Sequence, residues 1–385
     1  MSEIYLDNAA TTPMSPKVID CITDEMKNDF GNASSTYEIG RHARSVINKA
    51  RQQVAQAINA KDNEIIFTSG GSESNNTAIF GTAYSRKNIG KHIITTKIEH
   101  PSVLNPMKRL ESEGYKVTYL DVDETGHISL SDLKKALTPD TILVSIMAVN
   151  NEVGSIMPLE EIGQIVKNSN AYFHVDAVQG IGNIDIDVKK MNIDLLSTSA
   201  HKINGPKFLG FLYENENIHI PSLILGGEQE TKRRAGTENV PGIAGFGEAV
   251  SEIAAISKKD LQTKYKHFQD IILQKLDSAG IKYEINGGRG KNVSYHVLNL
   301  RLNGISTAVL QTNLDLAGYA VSAGSACTAG SLEPSHVLIA CFGKDSPRIN
   351  ESIRISFGRY NSDEEVNSFA DQLVKIAGKF QAKDK

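Results

Sequence analysis

TILVSIMAV, Thr141 to Val149, is the longest strongly apolar run of the chain. It is far short of the roughly 20 residues a membrane-spanning helix needs, so it reads as a strand in a protein core. Working outward, shorter β-rich runs lie on both sides: EIIFT (64–68), HIITTK (92–97), KVTYL (116–120), AYFHV (171–175), IDLLSTS (193–199) and FLGFLY (208–213). Helical patterns fall between them. The earliest is carried by Ala43, Val46, Ile47, Ala50, Val54, Ala57 and Ile58. Alternation of this kind, from about Arg41 to Tyr213, is the signature of a mostly parallel sheet of six or seven strands covered by helices, an α/β fold. A helical stretch from about Gly242 to Ala279 then leads into short strands and two further helices, read as a smaller C-terminal domain. The N-terminal dozen residues could pack beside either part.

A chain of 385 residues is too long for one ordinary domain. Its 40% hydrophobic and 22% charged residues, with a net charge of -4, suit a soluble globular protein and give no basic footprint for nucleic acid. MSEIYLDNAATTP lacks the basic and apolar segments of a signal peptide, so a cytoplasmic protein is expected, with no membrane attachment. The three cysteines, Cys21, Cys327 and Cys341, form no C-x-x-C pair, and an odd number suits a reducing compartment. No histidine spacing matches a ligand motif, and no metal is expected.

Two strand ends carry the chemistry. HVDAVQG brings Asp176 and Gln179 to one, and SAHKINGP brings Ser199, His201 and Lys202 to the other. Ligands of open α/β sheets bind beyond the carboxyl ends of the strands, where these side chains can converge. Burial favours a neutral, nucleophilic lysine. A lysine Schiff base and an acidic partner for a pyridine nitrogen are what pyridoxal phosphate requires. Taken as two residues alone, Asp176 and Lys202 as an ordinary ion pair would be the commoner arrangement. The odds change with TSGGSESNN (68–76), which follows a strand and opens a helix, so that its amides and the Ser72 hydroxyl can cradle a phosphate. Read by itself, that stretch is a glycine-rich turn with Ser72 as an N-cap. The clusters GIGN and GIAGFG lack dinucleotide spacing, which disfavours a nicotinamide cofactor.

EHPSV places His100 between a strand and a helix start, where an imidazole could stack on a ring and handle protons. Cys327 is surrounded by small residues in VSAGSACTAGSLEPSHVL and is the reactive candidate, whereas Cys341 in VLIACF reads as core and Cys21 as part of a helix face. Arg354, inside the strand-like ESIRISFGR, is either paired with a carboxylate of the protein or ready for one from a ligand.

Taken together, YLDNAATTP, GNASSTYEIGRHAR, TSGGSESNN, EHPSV, VNNEVGSIMPL, HVDAVQ, SAHKINGPKFLG, GGEQETKRRAGTENV, SAGSACTAGSLEPS and SIRISFGR resemble the cysteine desulfurases of the NifS/IscS type, in aminotransferase class V. The resemblance implies fold type I of the pyridoxal-phosphate-dependent transferases. A large domain at 14–255 would hold a mostly parallel seven-stranded sheet, and a small α/β domain at 1–13 and 256–385 would carry the cysteine loop. It further implies a homodimer that converts L-cysteine to L-alanine and passes the sulfur, as a persulfide on Cys327, to an iron–sulfur scaffold, a tRNA-thiolating enzyme or another acceptor protein. By motif, Lys202 bonds the cofactor, Asp176 partners its ring nitrogen, Gln179 contacts its phenolic oxygen and His100 stacks on the ring. Asn151 lies beside cofactor and substrate; Gly71, Ser72, Ser199 and His201 hold the phosphate; and Thr237 reaches the phosphate of the neighbouring subunit. Asn32 and Arg354 bind the substrate carboxylate. The wording departs from the family at Gly71, where alanine is frequent, at Ser72, where threonine is frequent, and at Ala200. Rival readings are a selenocysteine lyase or another class V enzyme on the same scaffold and, outside catalysis, a silent binding scaffold, whose mark would be loss of Lys202 or Cys327.

Overall fold

The computed structural model of the protein describes residues 3–324 and 334–382. In chain order the first half runs β1 (Ile4–Tyr5), α1 (Pro16–Asn28), α2 (Glu38–Ala57), β2 (Ile65–Thr68), α3 (Gly71–Arg86), β3 (His92–Thr96), α4 (Pro101–Ser112), β4 (Lys116–Leu120), α5 (Leu130–Ala136), β5 (Thr141–Met147), α6 (Leu159–Val166), β6 (Tyr172–Asp176), β7 (Leu195–Ser197) and β8 (Gly210–Glu214). The second half runs α7 (Gln229–Lys232), α8 (Val240–Ala254), α9 (Lys258–Ser278), β9 (Tyr283–Asn286), β10 (Val297–Leu302), α10 (Thr307–Leu316), β11 (Tyr319–Ala320), α11 (His336–Phe342), β12 (Ser352–Ser356) and α12 (Asp363–Gln381).

All seven runs read as strands between residues 64 and 213 join one seven-stranded sheet, ordered β2-β8-β7-β6-β5-β3-β4. Strands β4, β3, β5, β6 and β7 are parallel, and β8 is antiparallel to both its neighbours. Every residue of β5 is buried, which is why TILVSIM is continuously apolar rather than alternating: helices cover both faces of a parallel sheet. The register aligns Met147 of β5 with Asp176 of β6, and Asp176 with Ser197 of β7. The loops that follow these three strands therefore leave the sheet at one edge. Thr68 pairs with Gly210 of the antiparallel β8, so the loop after β2 leaves at that edge too.

A second, antiparallel sheet, β12-β10-β9, is built from the C-terminal part of the chain. Two expectations are corrected here. The helical stretch from about Gly242 to Ala279 is two helices, broken at 255–257, because the Ser257 side chain accepts from the Asp260 amide and starts α9 afresh. Among the described residues three α-helices, not two, follow it: α10, the short α11, and α12. The N-terminal segment, left open by pattern alone, joins the C-terminal part. Ile4 and Tyr5 pair with Tyr319 and Ala320, and the Ala9 amide donates to Ser356 Oγ at 2.9 Å. Among the described residues no helix is long and apolar enough to cross a membrane.

Candidate active site

Where the strand ends meet, the structure has a cleft of about 410 Å³. Lys202, Asp176, Gln179, Ser199 and His201 all line it, as do Gly71, Ser72, His100, Asn151 and Arg354. Lys202 ends a single 3₁₀ turn after β7, formed because Ser199 is still extended while Ile203 and Gly205 turn their amides back to the Ala200 carbonyl. Its Nζ donates to the carbonyl oxygens of Ala9 and Ala10, each at 2.6 Å. Gln179 donates to the same Ala9 oxygen at 2.9 Å. The N-terminal segment thus closes one wall.

Asp176 is 5% exposed. Its carboxylate accepts from the Val178 amide at 3.0 Å and from Asn75 Nδ2 at 2.8 Å. Asn75 also donates to Ser102 Oγ at 2.8 Å, and Ser102 reaches His100 Nδ1 at 2.7 Å, which links the aspartate to the histidine. His100 is the N-cap of α4 and accepts the Ser102 amide on Nδ1 at 3.1 Å. That acceptor role places the proton of the neutral ring on Nε2. Burial, chiefly, lowers the His100 pKa; Lys202 and His336 lower it further, against the opposing pull of Asp176. His201 is driven down to about 4 by burial, then by Lys202 and Lys207, and its Nδ1 meets Thr11 Oγ1 at 3.0 Å. Both imidazoles are neutral near pH 7.

The start of α3 differs from the capped turn weighed above. The N-cap is Gly70, with φ 147°, a value that favours glycine, and no side chain caps the helix. Ser72 lies inside the first turn, so it is not the N-cap. The first-turn amides and the positive end of the helix dipole are left to whatever occupies the cleft. Glu73 steadies the turn: it accepts the Ser69 amide at 2.7 Å and pairs with Arg234 at 3.0 Å. Those bonds hold its carboxyl below the usual range despite the opposing effect of burial.

Arg354 is 1% exposed and takes the first of the alternatives weighed for it, a pair with a carboxylate of the protein. It pairs with Asp7 Oδ1 at 2.7 Å and donates to the Asn151 carbonyl at 3.0 Å, yet it also lines the cleft, and its Nε has no hydrogen-bond partner among the described residues. Two candidates do not line the cleft of this chain. Asn32 is exposed, its Oδ1 accepting the Ser34 amide at 2.9 Å. Thr237 is exposed on an adjacent hollow of about 130 Å³ that shares Ser69 and Phe208 with the cleft. Cys327 lies outside the described residues. Cys341 is buried, as read, and burial pushes its thiol up to about 12.

Sequence reasoning missed Asn75, Glu73 and the Ala9 carbonyl. Asn75 is one helical turn beyond Gly71 within the quoted TSGGSESNN, so its spacing was the available signal. The carbonyl had none. Glu99 was missed as well: fully buried beside His100, it accepts from Thr96 Oγ1 at 2.7 Å and the Met147 amide at 3.1 Å. Outside the cleft, Glu25, Asp29 and His42 hold their ligand atoms within 4.8 Å of one another, the one such group among the described residues.

Residues 4–369 match the aminotransferase class-V family, and the chain belongs to it. It is 50% identical to the putative cysteine desulfurase IscS 1 of Bacillus subtilis, over 98% of this chain and 99% of that one. It is 45% identical to the cysteine desulfurase IscS of Methanosarcina thermophila, over 98% and 93%. Among solved structures, a NifS-like protein superposes with a TM-score of 0.90 at 36% identity, covering 98% of this chain and all of that one. SspA superposes at 0.81 and 35% identity, covering 93% and 99%. Within the class V family the chain therefore stands with the cysteine desulfurases of the IscS and NifS type.

Enzymes of this family depend on pyridoxal 5'-phosphate. The cleft fits that group on its own features: a helix N-terminus without a side-chain cap for the phosphate, a lysine amine, and a buried carboxylate suited to a pyridinium nitrogen.

Proposed function

We propose that this chain takes the sulfur of L-cysteine, releases L-alanine and holds the sulfur as a persulfide on Cys327 for an acceptor protein, an iron–sulfur scaffold or a tRNA-thiolating enzyme. The observation that carries the reading is the single cleft that holds Lys202, Asp176, the open start of α3 and the buried Arg354 together. SspA, similar in structure, forms a complex with cysteine, which supports the substrate.

In this reading the amides of Gly71 and Ser72, the hydroxyls of Ser72 and Ser199, and His201 bind the cofactor phosphate. Lys202 is the residue that bonds the cofactor. Asp176, held in place by Asn75 and the Val178 amide, would keep a proton on the ring nitrogen. His100 would stack on the ring and Gln179 would contact its phenolic oxygen. Pyridoxal phosphate, when bound, would supply an electron-accepting ring. Arg354 binds the substrate carboxylate, with Asn151 beside it, and the Lys202 amine takes the proton from the substrate Cα. The Cys327 thiolate then attacks the substrate sulfur: an S–S bond forms, the Cβ–S bond breaks, and its electron pair stays with the carbon skeleton, which gains a proton and leaves as alanine. Asn32 would join Arg354 at the substrate carboxylate, and Thr237, exposed in one chain, would complete the site in a homodimer by reaching the phosphate of the partner subunit.

The test is Cys327→Ala. The variant is expected to keep its yellow, cofactor-bound form and to stop making alanine from L-cysteine; undiminished turnover with a reductant overturns the persulfide role. Radiolabelled sulfur from L-cysteine, followed into co-purifying proteins, identifies the acceptor.

A further inference from the structure

We propose that His296 is a positioning residue for the cofactor: a relay of side chains from the C-terminal part of the chain locks the Gln179 amide so that it faces the phenolic oxygen as a hydrogen-bond donor. The proposal rests on the placing of Gln179 at that oxygen given above and adds what holds it there.

The relay starts on α9 and ends at the cleft. Gln262 of α9 accepts the Tyr295 amide on Oε1 at 2.7 Å, and its Nε2 reaches Ser294 Oγ at 3.2 Å. Ser294 Oγ lies 2.7 Å from His296 Nδ1, and His296 Nε2 lies 3.1 Å from Gln179 Oε1. Gln179, in the turn after β6, then meets the Ala9 carbonyl with Nε2 at 2.9 Å. Ser294, His296 and Gln179 are all buried, which makes it costly to leave any of these groups unpaired.

Backbone groups at its two ends fix the direction of every proton. The Tyr295 N–H only donates, so Gln262 turns Oε1 to it and Nε2 to the serine. The Ala9 carbonyl only accepts, so Gln179 turns Nε2 to it and Oε1 to the histidine. An acceptor facing His296 Nε2 requires the imidazole proton on that nitrogen. Burial first, then Arg354 and Lys202, drive the His296 pKa down to about 3, so the ring is neutral and carries that proton alone. Nδ1 is therefore an acceptor, and the Ser294 hydroxyl fills it.

The polarity of Gln179 sets the consequence. A carboxamide nitrogen has two hydrogens, and the Ala9 carbonyl takes one; the other is left for the cleft, which Gln179 lines. With Oε1 held by His296, Gln179 offers the cofactor oxygen a donor and never an acceptor. A donor there favours the ionised oxygen and weakens its hold on the proton it shares with the Lys202 nitrogen. An ordinary buried histidine would fill space and leave the affinity for that proton unchanged.

The experiment titrates the visible absorbance of the lysine-bound cofactor with pH, without L-cysteine, in the parent holoprotein and in His296→Leu, His296→Gln, Ser294→Ala, Gln179→Leu and the His296→Leu/Gln179→Leu double variant. The other charged or titratable groups that face His296 are Arg354 of β12, Lys202, and Tyr265 and Arg359, which line a small hollow with it; all four are kept in every variant. The midpoint is expected to rise by about one pH unit in His296→Leu. It should rise by less in Ser294→Ala and stay at the parental value in His296→Gln, whose amide nitrogen can stand where the imidazole Nε2 does. The double variant should match Gln179→Leu alone, because the histidine acts only through the glutamine. An unchanged midpoint in His296→Leu overturns the proposal, as does a His296→Gln variant shifted as far as the leucine one or a double variant whose shifts add. Should His296→Leu not fold, Ser294→Ala, which removes one hydroxyl, decides: a raised midpoint supports the relay and an unchanged one overturns it. An unchanged midpoint in Gln179→Leu overturns the placing of Gln179 itself and the relay with it. The titration needs neither turnover nor Cys327, so failure of the persulfide reading in Cys327→Ala is a separate result.

Discussion

Lys202 donates from Nζ to the carbonyl oxygen of Ala9 at 2.6 Å. Ala9 is held in turn by Ser356 of β12, so the lysine that ends a turn of the large sheet is bonded to a segment anchored on the small one. That segment has further ties, Thr12 Oγ1 to the His201 carbonyl at 2.8 Å and the Asn204 amide to Thr12 Oγ1 at 2.8 Å, so it does not depend on the amine for its place. Lys202→Ala is therefore expected to fold, to lose the visible absorbance of the lysine-bound cofactor, and to make alanine about a thousandfold more slowly. Absorbance, circular dichroism and alanine analysis check it; an untouched spectrum would favour a non-catalytic scaffold.

The Asp7–Arg354 pair makes two separable predictions. Asp7→Asn removes the counter-charge of an arginine that is 1% exposed, and breaking a buried pair costs about 3–5 kcal/mol. The denaturant midpoint of the apoprotein should fall accordingly. Arg354→Lys keeps the charge but loses the planar fork, so KM for L-cysteine should rise about tenfold, with kcat less affected. A selective fall in kcat would argue against carboxylate binding.

Glu99 gives a pH dependence with a defined sign. Burial, the largest cause, raises its carboxyl from 4.5 to about 8, with Asp176 adding to the shift and the bonds from Thr96 and Met147 opposing it. Below the unfolded value the group is protonated in both states and its contribution to stability is fully present. As pH rises the unfolded chain gives up that proton first, so the contribution falls and is lost by the time pH passes the folded value of about 8. Glu99→Gln should therefore become progressively more stable relative to the parent between about pH 5 and pH 9. Urea midpoints at several pH values check this, and a constant offset would remove Glu99 as the cause.

What the sequence discloses follows the range of the forces involved. The seven strands were legible because a parallel sheet buried on both faces writes itself as apolar runs such as TILVSIM, and Lys202 and Asp176 were legible because strand ends are where such sheets bind ligands. The break before Ser257 was not: Ala255 and Ile256 continue a helical pattern, with neither glycine nor proline to mark the stop. The partners of Asp176, Lys202 and Arg354 lie far off in the chain, at Asn75, Ala9 and Asp7, and no local pattern encodes a contact of that separation. Asn32 and Thr237 came from resemblance alone, and a single chain leaves both outside the cleft.

Gly71 joins two sides of the cleft. A Cβ placed on it would lie 2.6 Å from Val178 Cγ2. Valine is β-branched and stiff at χ1, so the methyl cannot turn away cheaply, and the backbone of the HVDAVQG turn would have to give. The Val178 amide is one of the donors that fix Asp176, so displacement there reaches the expected partner of the cofactor nitrogen. Gly71→Ala, although it restores the residue frequent in the family, is expected to destabilise the apoprotein by about 1–3 kcal/mol and to weaken cofactor binding. Adding Val178→Ala should return both quantities toward the parent. Thermal denaturation of the apoprotein and cofactor titration measure them, and a single variant as stable as the parent would show that the contact yields without cost.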